Sequence, residues 1–138
     1  EGLQEDGTLH TIDINEELEE TVRGYIKEAG LSESVKYYIG NALEIIPTID
    51  ATFDLVFIDA DKYNYATYYD LVIDRVRSGG YIIADNVLWS GKVLAKYRKK
   101  LDEDTAALLD FNKKVQDDPR VENILLPVRD GLMVARKK

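Results

Sequence analysis

Oxygen-bearing side chains follow two apolar runs in the middle of this 138-residue chain, at the point where each run ends. The run at residues 55–58 stops at Asp59, and the run at residues 81–84 stops at Asp85 and Asn86. Unbroken apolar runs predict strands buried on both faces of a parallel sheet, and the carboxyl ends of such strands meet at one edge. Three oxygen ligands at that edge could hold a small hard cation such as Mg²⁺. When spacing alone is considered, turns and helix caps are the more common use of such residues.

Lys62 lies three residues after Asp59, and this spacing would put an amine beside the cation. The alternative is a surface lysine at the start of a helix, which is the more common situation for lysine. Asp61, between these two residues, is predicted to be the N-cap of the following helix and not a further metal ligand.

Asp13 ends the first predicted strand, residues 9–14. Nucleotide-binding sheets place an acid at this position, where it accepts hydrogen bonds from ribose hydroxyls. The alternative is that Asp13, together with Asn15, starts the helix that follows.

The elements that must position these side chains alternate between strand and helix patterns. Strands are predicted at residues 9–14, 35–39, 55–58 and 81–84, and helical patterns at residues 18–29, 42–47 and 65–76. Gly79 and Gly80 are predicted to form the turn before the last of these strands. The alternation predicts an α/β fold with a mostly parallel sheet and right-handed crossovers.

The last third of the chain predicts a helix followed by a hairpin. Asp104 is the candidate N-cap of that helix, and Pro119 lies just beyond its end. Strands at residues 122–128 and 132–136 are joined by residues 129–131, Arg-Asp-Gly, which is typical of a hairpin turn. The hairpin predicts an antiparallel edge on the parallel sheet, and we expect residues 1–138 to form one domain.

The composition narrows the class of protein. A net charge of −8 and a hydrophobic share of 45% favour a globular protein and argue mildly against a surface that neutralises many phosphates. The basic clusters at residues 96–100 and 136–138 are more simply solvated faces. The chain has no cysteine, which excludes disulfides and thiolate metal sites and fits a cytoplasmic protein. No apolar run approaches the length of a membrane span.

Three segments of the chain together resemble one protein family. They are FIDADK at residues 57–62 with the Tyr-rich helix after it, GGYIIADNVLWSGKV at residues 79–93, and DDPRVENILLPVRDGLMVARK at residues 117–137. In this order and spacing they resemble the cation-dependent O-methyltransferases, the group that includes the catechol and caffeoyl-coenzyme A O-methyltransferases. The resemblance runs over nearly the whole chain and implies a Rossmann-like methyltransferase sheet.

The resemblance also assigns roles to residues at the two strand ends. It implies that Asp59, Asp85 and Asn86 are the metal ligands, with Mg²⁺ as the expected ion, and that Asp59 also lies at the cofactor. It implies that Lys62 is the general base that takes the proton from the hydroxyl to be methylated. Trp89, the only tryptophan, would line the acceptor pocket, although a single tryptophan is more often a core residue.

For the cofactor S-adenosylmethionine, the resemblance implies contacts from the first part of the chain. Asp13 would bind the ribose, and Asn41 with Ala42 would contact the adenine. Relatives often have aspartate where this chain has Asn41, and asparagine can both donate and accept in that contact. Tyr63 and Tyr65 could also face the acceptor, but Tyr65 lies on the helical core stripe and is assigned to the core. His10 receives no role.

The family begins its sheet with a strand and a glycine-rich turn that this sequence does not contain. We therefore expect an N-terminally truncated chain that starts just before the family's second strand and leaves two half-sheets with exposed edges. The function implied is methyl transfer from S-adenosylmethionine to a metal-bound hydroxyl of a catechol-like small molecule, in a homodimer. A variant would methylate a hydroxylated uridine in tRNA.

Two alternatives belong to different classes of protein. A response-regulator receiver domain also has a strand that ends in an aspartate near a metal. Receivers need an acidic pair after the first strand and a Lys-Pro after the last parallel one, whereas this chain has Asn15 and Glu16 and no Lys-Pro. The other alternative is a non-catalytic fragment that folds only by association with another copy.

Overall fold

The strands of this protein form two sheets, one of two strands and one of four. The computed structural model describes residues 2–94 and 101–138, so the basic cluster at residues 96–100 lies outside the described residues. The chain divides into two compact units, Glu1–Ile49 and Asp50–Lys138, and each sheet belongs to one of them. The expectation of two half-sheets is therefore confirmed, while the prediction of one domain over residues 1–138 stays a prediction.

The N-terminal unit contains two parallel strands and the helix that connects them. β1 (Leu9–Asp13) pairs with β2 (Val35–Ile39), and a 3-10 turn (Glu16–Leu18) and α1 (Glu19–Glu28) lie between them. Asn15 caps this helical segment as predicted, because its side chain accepts a hydrogen bond of 3.0 Å from the Glu17 amide.

A short helix follows β2. α2 (Ala42–Ile45) runs into a 3-10 turn (Ile46–Thr48), so the prediction that Pro47 ends the helical piece is wrong by one residue. Proline is tolerated there because the first amides of a helical turn have no intrahelical partner.

The C-terminal unit contains the other four strands. They are β3 (Phe53–Ile58), β4 (Val76–Ala84), β5 (Val121–Leu126) and β6 (Leu132–Lys137), in the spatial order β3-β4-β6-β5. β3 and β4 are parallel, and β6 is antiparallel to both β4 and β5. This arrangement confirms the predicted parallel core with an antiparallel C-terminal hairpin at its edge.

Two helices pack in the C-terminal unit and build its core. α3 (Tyr65–Ile73) contacts β3, β4 and α4 (Glu103–Asp117). The rings of Tyr65 and Tyr69 pack edge-on against Phe111, with centroids 5.4 and 6.2 Å apart. All three aromatic side chains are fully buried, and large buried rings of this kind contribute strongly to the stability of a core.

The prediction that β3 is buried on both faces is wrong. Leu55 and Phe57 are 57% and 56% exposed, whereas Ile58 is buried. Successive side chains of a strand point to opposite faces, so the face of β3 that carries Ile58 is covered and the face that carries Leu55 and Phe57 is open. β3 is also the edge strand of its sheet.

β4 is longer than predicted and includes both glycines that were expected to form a turn. Val76, assigned to the preceding helix, is its first residue, and the register of β4 against β3 shifts between Phe53 and Leu55. A Cβ on Gly80 would lie 2.7 Å from a Val76 methyl group and 2.9 Å from the Asp54 carbonyl oxygen. Glycine therefore lets the irregular strand pass close to β3 instead of reversing the chain.

α4 starts after Asp102, so the prediction of Asp104 as its N-cap is wrong. The Asp102 carboxylate accepts hydrogen bonds from the Thr105 amide (2.8 Å) and the Thr105 hydroxyl (2.5 Å). These bonds, the one from the hydroxyl foremost, lower the pKa of Asp102 to about 2.

Among the described residues, no helix is long and apolar enough to cross a membrane.

Candidate active site

The ammonium group of Lys62 joins the ends of β3 and β4. Its Nζ donates to Asp59 Oδ1 at 3.2 Å and to Asn86 Oδ1 at 3.0 Å. The strands are held in register by the pairing of Ile58 with Ala84 and by a 3.0 Å bond from the Asp85 amide to the Ile58 carbonyl. The structure therefore brings Asp59 and Asn86 together at one edge of the sheet, where the sequence placed them.

Lys62 itself is only 7% exposed, so the alternative of a surface lysine is wrong. It lies in a 3-10 turn, Lys62–Asn64, that connects β3 to α3. A buried ammonium is stable only with hydrogen-bonding partners, and the oxygens at the two strand ends provide them. The turn after β3 thus directs the lysine back towards the strand that precedes it.

Asp85 contacts Asn86 directly. Asp85 Oδ1 accepts hydrogen bonds from the Asn86 backbone amide at 2.6 Å and from the Asn86 side-chain amide at 3.3 Å. Asn86 has a φ of 58°, in the left-handed region that asparagine tolerates better than most residues. The sharp turn places both side chains beside the end of β4.

These side chains fit a hard divalent cation by their chemistry. Two carboxylates and one amide oxygen are ligands that Mg²⁺ accepts, and the Asp59 and Asn86 oxygens already converge on a positive charge, that of Lys62. Across residues 2–94 and 101–138 no group of three or more His, Cys, Asp or Glu side chains is arranged to hold a metal ion. A cation here would depend on the amide of Asn86 as its third protein ligand.

Tyr65 is a site residue that sequence reasoning missed. Its hydroxyl accepts a hydrogen bond from Lys62 Nζ and donates one of 3.1 Å to the Asp85 carbonyl oxygen. Burial, with further contributions from the Asp59 and Asp85 charges, raises the pKa of Tyr65 well above its ordinary value, so the hydroxyl stays protonated. The spacing of three residues from Lys62 was the available signal, since such pairs are neighbours on a helical turn.

Trp89 lies in the loop after β4, next to the same lysine. Lys62 Nζ is 5.8 Å from the centre of the indole ring, and Lys92 Nζ is 5.5 Å from it. The indole nitrogen is buried and has no hydrogen-bond partner among the residues that the structure describes. The ring borders the strand-end site, while its role as a wall of the acceptor pocket stays a prediction.

Asp61 takes the N-cap position of the Lys62–Asn64 turn, as predicted, but its side chain does not bond to the turn's backbone. It accepts hydrogen bonds from the Asn64 side-chain amide at 2.6 Å and from the Tyr68 hydroxyl at 2.5 Å. Tyr63, which lies between Lys62 and Asn64 in this turn, is 66% exposed.

The residues predicted to contact the cofactor from the first part of the chain lie in the N-terminal unit. The Asp13 carbonyl accepts a 2.8 Å bond from the Gly40 amide, which brings the ends of β1 and β2 together. The Asp13 carboxylate also accepts a 2.9 Å bond from the Asn15 amide, so the helix-start alternative describes part of its role.

Asn41 caps α2, because its Oδ1 accepts a 3.0 Å bond from the Leu43 amide, and Ala42 is the first residue of that helix. Cofactor contacts by Asp13, Asn41 and Ala42 stay predictions. His10 has a partner that the sequence did not indicate: its ring stacks on Tyr38, and its Nδ1 lies 3.1 Å from the Tyr38 hydroxyl.

Parallel strands with polar residues at their carboxyl ends, followed by an antiparallel hairpin, are an arrangement that the chain shares with Rossmann-like methyltransferases of known structure. The sequence profile described as O-methyltransferase matches residues 1–138, and the chain belongs to this family.

Relatives of known sequence and structure support the assignment. The chain is 37% identical to caffeoyl-CoA O-methyltransferase 1 of Arabidopsis thaliana, with 98% of this chain and 56% of that protein aligned. An O-methyltransferase from Bacillus cereus, solved in complex with SAH, superposes with a TM-score of 0.89 at 29% identity, covering 99% of this chain and 66% of that one. TomG from Streptomyces achromogenes, involved in tomaymycin synthesis and solved with SAM, gives a TM-score of 0.86 at 28% identity, covering 99% and 64%. The chain thus spans a little over half the length of the caffeoyl-CoA O-methyltransferase from Arabidopsis thaliana.

Proposed function

We propose that the protein transfers a methyl group from S-adenosylmethionine to a hydroxyl of a catechol-like small molecule. The observation that carries the proposal is the buried Lys62 amine, which bonds to Asp59 and Asn86 at the ends of two parallel strands. Membership of the O-methyltransferase family, with relatives solved in complex with SAM or SAH, supports the choice of reaction and of methyl donor.

Asp59, Asp85 and Asn86 would hold a divalent cation, and Mg²⁺ suits their hard oxygen atoms. When bound, such a cation lowers the pKa of a coordinated hydroxyl and orients the acceptor. A cation is proposed here because the oxygen atoms that would bind it lie close together. The carboxylate of Asp59 and the amide oxygen of Asn86 both bond to Lys62 Nζ.

After loss of one ammonium proton, Lys62 Nζ would accept the proton of the acceptor hydroxyl. The hydroxyl oxygen then forms a bond to the methyl carbon while the carbon–sulfur bond breaks, and the sulfonium leaves as a neutral thioether. Tyr65 and Asn86 hold Nζ in place through their hydrogen bonds. An in-line transfer of this kind gains most of its rate from positioning, which rigid partners of a buried amine provide.

The acceptor and the remaining contacts are part of the proposal. We infer that Trp89 lines the acceptor side of Lys62 and that Asp13, Asn41, Ala42 and Asp59 contact the cofactor. A net charge of −8 favours a small aromatic acceptor over a hydroxylated uridine in tRNA. A homodimer remains the proposed assembly.

The test is calorimetric titration of S-adenosylmethionine into the whole protein, followed by methylation of a catechol in Mg²⁺ or EDTA. We expect binding in both conditions and methylation only with Mg²⁺. A Lys62→Met variant should bind S-adenosylmethionine normally and lose about 10²-fold or more in rate, whereas Lys113→Met, at an exposed position on α4, should match the wild type. Absence of cofactor binding, or equal methylation in EDTA, would refute the proposal.

A further inference from the structure

The turn between β5 and β6 contacts the loop that follows β4, here called the post-β4 loop (residues 86–91). The Val87 amide donates to the Gly131 carbonyl at 3.1 Å, and the Leu88 amide donates to the Asp130 carbonyl at 2.9 Å. The side chain of Asp130 adds a third bond, because its Oδ1 accepts from the Ser90 amide at 2.5 Å. Two successive turn residues thus bind three amides of a loop some forty positions earlier in the chain.

The post-β4 loop has a backbone conformation that needs external support. Asn86, Trp89 and Ser90 all have left-handed φ values, 58°, 47° and 52°. Residues other than glycine rarely adopt such values, and tryptophan has no side-chain group that compensates for them. Conformations of this kind persist when the surrounding structure holds them in place.

Asp130 supplies that support between two of these residues. The Ser90 amide belongs to the peptide that joins the two consecutive left-handed residues, Trp89 and Ser90. A hydrogen bond from an amide to a carboxylate is shorter and stronger than one to a neutral acceptor. The side chain of Asp130 therefore fixes the peptide on which the orientation of the indole depends.

Close packing holds the turn against the same loop. Gly131 has a φ of 87°, and a Cβ at this position would lie 2.5 Å from Leu88 Cγ. From the other side, the Asn112 side chain of α4 donates a 3.0 Å bond to the Val87 carbonyl. β6 also pairs directly with β4, with Met133 opposite Ala84, so the turn and the loop are fixed to the same sheet.

We propose that Asp130 is a positioning residue that fixes the post-β4 loop and, through it, Asn86 and Trp89 beside Lys62. Asn86 bonds to Lys62 at 3.0 Å, and the Trp89 ring centre lies 5.8 Å from the same nitrogen. A residue that served only to complete the turn between β5 and β6 would not need its carboxylate to accept a bond from the Ser90 amide. The expected loss of activity rests on the proposed function, whereas the expected change in the position of the loop does not.

The chain's only tryptophan makes the test direct, because Trp89 fluorescence reports on this loop alone. Four proteins are compared without ligand: wild type, Asp130→Ala, Asp130→Asn, which keeps a side-chain oxygen acceptor, and Val128→Ala, an exposed position in the same turn. We expect Asp130→Ala to shift Trp89 emission to the red and to raise acrylamide quenching. Asp130→Asn should restore most of the wild-type signal, and Val128→Ala should match the wild type. Far-UV circular dichroism checks that each variant is folded.

The kinetic arm separates positioning from binding. With a catechol acceptor, Asp130→Ala should lower kcat by about tenfold, the scale expected for a small misplacement of reacting groups, and should leave the KM for S-adenosylmethionine unchanged. Wild-type quenching and emission in folded Asp130→Ala would overturn the inference whatever the activity. If Asp130→Ala does not fold, Asp130→Gly, which also lacks the side-chain acceptor, takes its place, and wild-type emission and quenching in that folded variant would overturn the inference as well. A wild type that fails to methylate would refute the proposed function, and the fluorescence comparison would still decide the role of Asp130.

Discussion

At the scale of single residues, the environment of Lys62 determines what the site can do. Its ammonium bonds to oxygen atoms of three residues. Asp59 follows β3, Tyr65 belongs to α3, and Asn86 follows β4. The meeting of Asp59 and Asn86 could be predicted, because parallel strands in register end at one edge. The third partner could not, because a helical stripe predicts that Tyr65 is buried but not which group its hydroxyl reaches.

Tyr65→Phe is the substitution that tests this third partner. Removing the hydroxyl leaves Lys62 with one acceptor fewer and the Asp85 carbonyl without its donor. We expect a loss of about 1–3 kcal/mol in the free energy of unfolding together with a lower kcat. Urea denaturation and steady-state kinetics measure the two effects.

Tyr68→Phe is the matched control, since Tyr68 is also buried but its hydroxyl bonds to Asp61 and not to Lys62. It should reduce stability and leave kcat near the wild-type value. If both variants lose kcat equally, Tyr65 has only a structural role.

At the scale of elements, the sequence predicted the types of strand and helix better than their ends. The start of α4 was misplaced because Asp102 and Asp104 are both acceptable caps, and only the bonds to Thr105 distinguish them. The glycines of β4 were assigned to a turn because a close approach between two strands leaves no sign in one sequence. The support of the post-β4 loop was missed for a related reason, since Asp130 is a sufficient turn residue on its own.

The end of α4 gives a pH prediction. Asp118 accepts hydrogen bonds from Arg120 and from the Tyr69 hydroxyl, and the Arg120 bonds in particular lower its pKa to about 2. Because its pKa is lower in the folded state than the unfolded value of about 3.9, its contribution to stability is complete above about pH 4 and is lost as the pH falls towards 2.

Asp118→Asn should therefore lower the free energy of unfolding by about 1–3 kcal/mol at pH 7 and by progressively less as the pH falls from about 4 towards 2, as measured by urea denaturation at several pH values. Asp117→Asn, which removes only an exposed ion pair with Lys113, should have little effect at any of these pH values. A loss for Asp118→Asn that stays constant down to pH 3 would show that the charge of Asp118 is not responsible.

At the scale of the whole molecule, the two sheets and the family assignment agree with the sequence analysis. The exposed side of β3 contradicts the prediction that this strand is buried on both faces. An apolar run such as residues 55–58 shows that a strand prefers to be covered, but it does not show which of its faces another element covers. The same holds for the reaction. Family membership gives the class of chemistry but not the acceptor, which only a comparison of substrates can identify.

The most direct test of the central claim is a Mn²⁺ titration of the whole protein, followed by electron paramagnetic resonance of the free ion. The account predicts one tight site in the wild type and an affinity at least about tenfold weaker in Asp85→Ala, on the scale at which ligand-shell changes act. Asp54→Ala, which removes an exposed carboxylate of β3 paired with Arg77, should bind like the wild type. Equal Mn²⁺ affinity in wild type and Asp85→Ala would contradict the claim that the two strand ends hold a divalent cation beside Lys62.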